Sequence, residues 1–289
     1  MNGILLIDKP QDWTSNDVIG KLRGILHERR IGHSGTLDPM ATGLLVVFVG
    51  RATRAVAYSE AQEKRYLAKM QLGLVTDTQD ITGRALQEHA VDIGDEALQR
   101  ALERFRGQIM QIPPMYSAIK VHGQKLYDIA RRGGEVERSA RPVTIHELRM
   151  LGREGNTVSL DVLCSKGTYI RTLCHDIGET LGCGACMSEL RRVQVGKFRL
   201  EDAHSLAEVQ QASDQGQAQS LFLPLDSLFE DLPALCLDTK AEKKIRVGAQ
   251  VPSRATPGRY RVYGPEGSFL AIGEVREGQL CTIKSFFEV

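Results

Sequence analysis

Between residues 29 and 49 the chain passes from a loop carrying Gly32, Gly35 and Gly43 straight into the unbroken apolar run Leu44–Val49. A run this short, bounded by glycine, suits a buried strand and falls far below the roughly 18 apolar residues of a membrane-spanning helix. The fold must therefore contain a sheet with this strand inside it, and a glycine-rich loop delivered to the strand's start.

The neighbouring segments read as both strands and helices. Gly3–Ile7 suggests a strand, and Val18, Leu22, Ile25 and Leu26 mark one face of a helix that Thr14, Ser15 or Asn16 can cap. Tyr66, Ala68, Met70 and Leu72 alternate with less apolar positions, predicting a strand that ends in the polar turn Thr76–Gly83. Leu98, Ala101, Leu102 and Phe105 predict an amphipathic helix. Arg141–Leu151 and Thr157–Cys164 read as strands, and Thr168–Leu181 as a helix. Without strict strand–helix alternation the pattern is α+β: a mixed, mostly antiparallel central sheet flanked by helices. Short β-like runs at Tyr260–Tyr263 and Phe269–Ile272 predict a small C-terminal β-rich domain, and the Gln-, Ala- and Ser-rich stretch Ala207–Ser220 reads as a mobile surface helix or linker.

Charge is unevenly placed. The net value is +1, but residues 104–199 hold 16 Lys+Arg against 9 Asp+Glu, residues 200–238 hold 8 acidic and no basic residues, and residues 239–289 return to 9 basic against 5 acidic. Two basic regions separated by an acidic one are compatible with a polyanionic partner, and equally with scattered solvated charge. The N-terminus lacks the basic region of a signal peptide, so a cytoplasmic location is expected. Six thinly spread cysteines suit reduced thiols. Cys183 and Cys186 have CxxC spacing, but a zinc site wants a second matched pair, and no metal is expected. A metal or redox reading of Cys174, His175, Cys183 and Cys186 stands as the rival. The sequence carries no phosphate-binding P-loop, dinucleotide fingerprint, GxSxG elbow or HExxH pair, so the chemistry is expected to need no cofactor.

The densest chemical cluster is His33-Ser34-Gly35-Thr36-Leu37-Asp38-Pro39, followed by Ala41-Thr42-Gly43. Between small-residue turns, Asp38 can be presented in a cleft where glycine lets a substrate approach the backbone; alternatively it caps a turn before Pro39.

Five blocks, GILLIDKP, GHSGTLDPMATGLLVVFVGRATR, KRYLAKMQLG with TDTQDITG, QIPPMYSAIKVHGQKLYDIARRG, and CSKGTYIRTLCHDIGETLGCGA ending in LRR, run in order from Gly3 to Arg192. Together they resemble the TruB family of bacterial transfer RNA pseudouridine synthases. The resemblance implies isomerisation of the T-loop uridine at position 55 to pseudouridine, with the T-stem and T-loop as partner and a monomeric enzyme. It also implies a catalytic domain at residues 1–230 and a PUA-like RNA-binding domain at 231–289. Asp38 matches the family's catalytic aspartate, and could attack sugar or base, or assist departure of the base. Arg171 matches its buried partner and Tyr66 the tyrosine against the target base. His33 matches a histidine expected to stack in the RNA once the base is flipped out. Tyr169 and Leu190 match pocket-lining positions, with ordinary packing as the alternative, and Lys9 matches a lysine with either a supporting or a contacting role. Lys120 belongs to a basic tract with Lys125, Arg131, Arg132 and Arg141, interleaved with Tyr116 and Tyr127, suited to phosphate contact. Ser34, Met40 and Cys186 depart from the family's usual threonine, leucine and histidine.

Overall fold

The computed structural model describes residues 1–117, 120–121, 123–130 and 132–287. In chain order the first half runs β1 (Gly3–Lys9), α1 (Ser15–Leu26), β2 (Ile31–His33), β3 (Thr42–Val49), α2 (Val56–Glu60), β4 (Lys64–Leu72), β5 (Leu74–Thr76), β6 (Ala85–Glu88), α3 (Asp95–Arg104) and β7 (Gly107–Gln111). There follow β8 (Lys120–Val121), β9 (Gln124–Lys125), α4 (Leu126–Ala130), β10 (Arg141–Glu154), β11 (Thr157–Cys164), α5 (Ile170–Leu181), β12 (Ala185–Val195), β13 (Phe198–Arg199) and α6 (Leu206–Asp214). The last segment holds β14 (Ala234–Cys236), α7 (Thr239–Arg246), β15 (Val251–Pro252), β16 (Gly258–Tyr263), β17 (Phe269–Arg276) and β18 (Gln279–Ser285).

The main sheet has the order β1-β3-β12-β4-β11-β10-β7, with β2 beside β3 and β13 beside β12. Its described pairings are antiparallel except at one place, where β12 runs parallel to β3. This is the mixed, mostly antiparallel α+β sheet that the sequence predicts. The apolar run in β3 owes its continuity to cover on both faces. Leu44, Val46 and Phe48 pack with Ile4, Leu6 and Val195, whereas Leu45, Val47 and Val49 pack with Leu5, Ile7 and the Val18–Leu22–Ile25 face of α1. β4 is covered chiefly on one face, where Tyr66, Ala68, Met70 and Leu72 meet Val158, Leu160 and Val162 of β11 and apolar residues of α3 and α5; accordingly it alternates.

Thr14 caps α1: its hydroxyl accepts from the Asp17 N–H while the Asp17 carboxylate accepts from the Thr14 N–H. That fixes where β1 hands over to the helix and so where residues 10–15 lie against the Asp38 loop.

One sequence expectation needs correction, and another gains detail. The segment 29–43, read as a loop, contains the short strand β2, held to β3 by Ile31–Val49 and His33–Val47 register. The stretch Ala207–Ser220, read as a mobile surface helix or linker, holds the surface helix α6, mostly exposed and anchored at a few points. Ser205 and Glu208 form a capping box for α6, Val209 is fully buried against α1, and the Ser213 hydroxyl donates to the Ile25 carbonyl at 2.8 Å. One valine in a polar stretch gave too weak a periodicity to reveal this anchoring.

The C-terminal strands form a second sheet, β14-β16-β17-β18-β15, with its own core of Leu237, Ile245, Val262, Leu270, Val275 and Leu280. It also shares a core with the main sheet. Ile272 and Phe286 pack in the same cluster as Leu44, Val46 and Phe229, and the Phe269 and Phe286 rings stack with centroids 5.3 Å apart.

Candidate functional site

Asp38 sits in a loop that is tied down along its length. The Ser34 N–H donates to the Val46 carbonyl (3.0 Å) and its hydroxyl meets that of Ser59 (2.8 Å). The Leu37 N–H donates to the Ser15 hydroxyl (2.9 Å), and the Ala41 N–H closes a turn onto the Asp38 carbonyl (3.0 Å). Lys9, with no exposed surface, ends β1 beneath this loop; its ammonium donates to the carbonyls of Pro10 (2.8 Å), Trp13 (2.6 Å) and Pro39 (3.2 Å). Burial lowers the Lys9 ammonium to about 8, although the charges of Asp12 and Asp38 pull the other way.

The loop emerges beside the sheet's parallel junction, where Gly43 faces Arg192. Gly43 has φ +99°, and a Cβ there would collide with the Arg192 backbone carbonyl oxygen. Only glycine permits this approach, which explains the position of the last glycine of the GHSGTLDPMATG block.

Arg171, near the start of α5, reaches Asp38 with two prongs, Nε to Oδ2 at 2.9 Å and Nη2 to Oδ1 at 3.3 Å. Its other donors meet the carbonyls of Thr78 (Nη1, 3.0 Å) and Tyr116 (Nη2, 2.8 Å). The guanidinium is 5% exposed and Asp38 35%, so the buried arginine presents a carboxylate that remains open to a ligand. Burial pushes the Asp38 carboxyl above its ordinary value; the Arg171 guanidinium opposes this, and the charge of Asp80 adds to it.

Asp80 was not among the residues singled out individually, although the block TDTQDITG contains it. Its Oδ2 lies 3.7 Å from Arg171 Nη1, and its Oδ1 accepts from the Thr78 hydroxyl (2.9 Å), the Thr82 N–H (3.0 Å) and the Thr82 hydroxyl (2.5 Å). One guanidinium thus serves two carboxylates. The signal was an aspartate between threonines, which by composition reads as a solvated turn; here Asp80 itself is buried while its neighbours Ile81 and Thr82 stay exposed, and the Met187 carbonyl accepts the Ile81 N–H at 2.8 Å.

Tyr66 stands in register with Arg192 on one side and Val162 on the other, and packs in the same cluster as Leu37, Ala41 and Leu190. Burial raises its phenol, and the Arg192 cation opposes that rise. Leu190 is buried opposite Ala68, so it shares the wall with Tyr66 and Leu37. Tyr169 precedes α5; its backbone N–H and carbonyl are both held by the buried Gln111 amide, at 2.8 and 3.0 Å. His33 ends β2 at the head of the Asp38 loop, half-buried, with its Nδ1 buried and lacking a hydrogen-bond partner among the described residues; burial lowers its pKa. Asp38, Arg171, Tyr66, Leu190 and Lys9 therefore converge on one loop and one sheet region. The backbone of Lys120 pairs with Lys125 in the β8–β9 hairpin. Arg131 and the side chains of Lys120 and Lys125 lie outside the described residues.

Among the described residues no group of three or more His, Cys, Asp or Glu side chains converges in a way that could hold a metal. Cys174, Cys183 and Cys186 are buried, and burial raises each thiol, that of Cys186 to about 11. Such thiols stay protonated and inert near neutrality.

Residues 23–170 match the TruB family pseudouridylate synthase N-terminal domain, and residues 171–230 match the tRNA pseudouridylate synthase B C-terminal domain. The chain belongs to the TruB family. Tyr66, Asp38 and Asp80 lie in the first matched region and Arg171 opens the second. Among curated relatives, tRNA pseudouridine synthase B of Chromobacterium violaceum is 44% identical, covering 98% of this chain and 94% of its own length. The protein of the same name from Escherichia coli K12 is 42% identical over 95% of this chain and 91% of its own. Of solved structures, a chain of a Cbf5-Nop10-Gar1 complex superposes with TM-score 0.75 at 26% identity, covering 99% of this chain and 85% of that one. A chain of an H/ACA RNP bound to a substrate RNA containing 2′-deoxyuridine gives TM-score 0.74 at 24% identity, with 99% and 85% covered, and shares the fold. TruB membership makes this chain a pseudouridine synthase, an isomerase of RNA. No helix among the described residues is long and apolar enough to cross a membrane.

Proposed function

We propose that this TruB-family chain isomerises the T-loop uridine at position 55 of transfer RNA, with Asp38 as the catalytic group. The observation that carries the reading is the two-pronged Arg171–Asp38 pair. A buried, always-charged guanidinium fixes the orientation of a carboxylate whose other side is open. In that setting Asp38 can act on the sugar carbon, on the base, or on the proton that must leave after the base has turned. The reaction breaks the N1 bond to ribose, rotates the base and joins C5 instead, so no atoms are gained or lost.

A uridine stacked within a folded loop cannot present its glycosidic bond to Asp38, so the nucleotide is extruded into the site, at about a few kcal/mol of lost stacking. Tyr66 and Leu190 form the apolar wall against which the flipped base rests, Tyr169 lines the entry, and His33 stacks where the base has left. Lys9 acts from beneath, holding the Pro39 carbonyl and so the loop. Lys120 and its basic neighbours contact T-stem phosphates, and residues 231–289 add a second, PUA-like RNA-binding surface to the catalytic unit 1–230. The protein works in the cytoplasm as a monomer.

Mapping pseudouridine in transfer RNA from cells lacking this protein tests the reading. Loss confined to the T-loop uridine is expected; an unchanged T-loop, or loss elsewhere, overturns the substrate assignment.

A further inference from the structure

Arg192 lies in β12 at the sheet's parallel junction, with Gly43 as its partner on β3 and Tyr66 as its partner on β4. It is 1% exposed. Its Nε donates to the Leu44 carbonyl at 2.8 Å and its Nη2 to the Gly35 carbonyl at 3.1 Å, and it forms no ion pair with a carboxylate among the described residues. Lys64 repeats the pattern. It is buried two residues before Tyr66 on the same face of β4, and its ammonium donates to the carbonyls of Glu60 and Gln62, each at 2.6 Å.

Both cations are solvated by peptide dipoles without an ionic partner, an unfavourable arrangement for buried charge. A guanidinium cannot relieve it by losing its proton. The field of Arg192 opposes the burial-driven rise of the Tyr66 phenol and disfavours protonation of His33 and Lys64. Direct contact with an RNA phosphate is closed to a side chain 1% exposed. What remains is an unneutralised positive field behind the wall that Tyr66 forms.

We propose that Arg192, with Lys64 beside it, is an electrostatic positioning residue that acts through Tyr66 to stabilise the negative charge appearing on the uracil as its N1–C1′ bond breaks. The inference rests on the isomerase reading above. The N1–C1′ electron pair leaves with the base and spreads onto O2 and O4. The same anion then re-joins C1′ through C5, the C5 proton departs and N1 takes up one proton, so the product is an isomer of the substrate. A fixed cation that needs no reorganisation favours the charged stage over the neutral starting uridine.

The test compares single-turnover rates on T-stem-loop RNAs carrying uridine or 5-fluorouridine at the target position, followed by loss of the starting nucleotide. Fluorine stabilises a base anion by itself, so a variant without the cation should be partly relieved. For Arg192→Gln the expected deficit is about 100-fold with uridine and no more than about a tenth of that deficit with 5-fluorouridine. Arg192→Lys, which keeps the charge, should restore the wild-type response to fluorine. Lys64→Met should show the same signature more weakly, and reads alone if Arg192→Gln does not fold. Equal deficits on the two RNAs would mean that Arg192 and Lys64 serve only the fold, and overturn the proposal. A wild-type protein with no activity on the uridine RNA would instead overturn the isomerase reading itself.

Discussion

Replacing Arg171 by lysine keeps the charge and removes the fork. The native guanidinium serves four acceptors: both Asp38 oxygens and the carbonyls of Thr78 and Tyr116. An ammonium on a shorter stem has three donors and no planar pair, so at least one of the four acceptors goes unserved. At roughly 1–3 kcal/mol for an unsatisfied group, Arg171→Lys should destabilise the fold by about 1–3 kcal/mol. The carboxylate also loses its fixed direction, and a displacement of about 1 Å at the reacting group lowers the rate about 100-fold. Arg171→Met separates charge from geometry. Burial and the Asp80 charge, both of which raise the Asp38 carboxyl, would then act without the arginine's opposition, so the acid limb of the rate profile should move to higher pH. Single-turnover pseudouridine formation on an unmodified transfer RNA transcript, measured across pH alongside thermal melting, provides both readouts. An Arg171→Lys rate within about threefold of wild type would refute the geometric argument. A Met variant whose acid limb stays in place or moves down would refute the electrostatic one.

Three further outcomes follow from the same geometry. Asp80→Asn removes a charge that raises the Asp38 carboxyl, so the acid limb of the single-turnover profile should shift to lower pH; a shift upward would contradict the shared-guanidinium arrangement. Gly43→Ala forces a Cβ onto the Arg192 backbone at φ +99°, and differential scanning should show a large loss of thermal stability, or no folded protein, whereas a melting point near wild type would mean the β3–β12 junction is wrongly described. Phe286→Ala opens the core shared by the two sheets and should destabilise the whole chain by about 3–5 kcal/mol in chemical denaturation. A mild effect there would mean that the two sheets do not depend on a common core.

The sheet was legible wherever one physical pattern acted alone. β4 alternates because one face packs against helices, and β3 is uniformly apolar because both faces are covered. α1 showed its face and its cap in adjacent residues. The parallel β3–β12 pairing could not be read, because it joins Gly43 to Arg192 across most of the catalytic region and periodicity carries no information about pairing partners. Asp80 was obscured for a related reason: its turn looks solvated until Met187 and Arg171 are brought against it. Arg192 is the starkest case, since an arginine inside an Arg-Arg pair reads as surface charge, yet Arg191 reaches Asp8 at the half-exposed edge while Arg192 turns wholly inward. Asp38 and Arg171 were found through the block resemblance, because aspartate before proline and arginine in a helix are each unremarkable alone.

The central claim, that Asp38 performs the chemistry, meets its most direct test in a comparison of wild type and Asp38→Asn on one unmodified transfer RNA transcript in single turnover, with RNA affinity measured in parallel. The prediction is loss of detectable pseudouridine with affinity essentially retained, since the amide keeps the shape of the carboxylate but cannot act as nucleophile or base. Pseudouridine forming at the same rate in both proteins would contradict it.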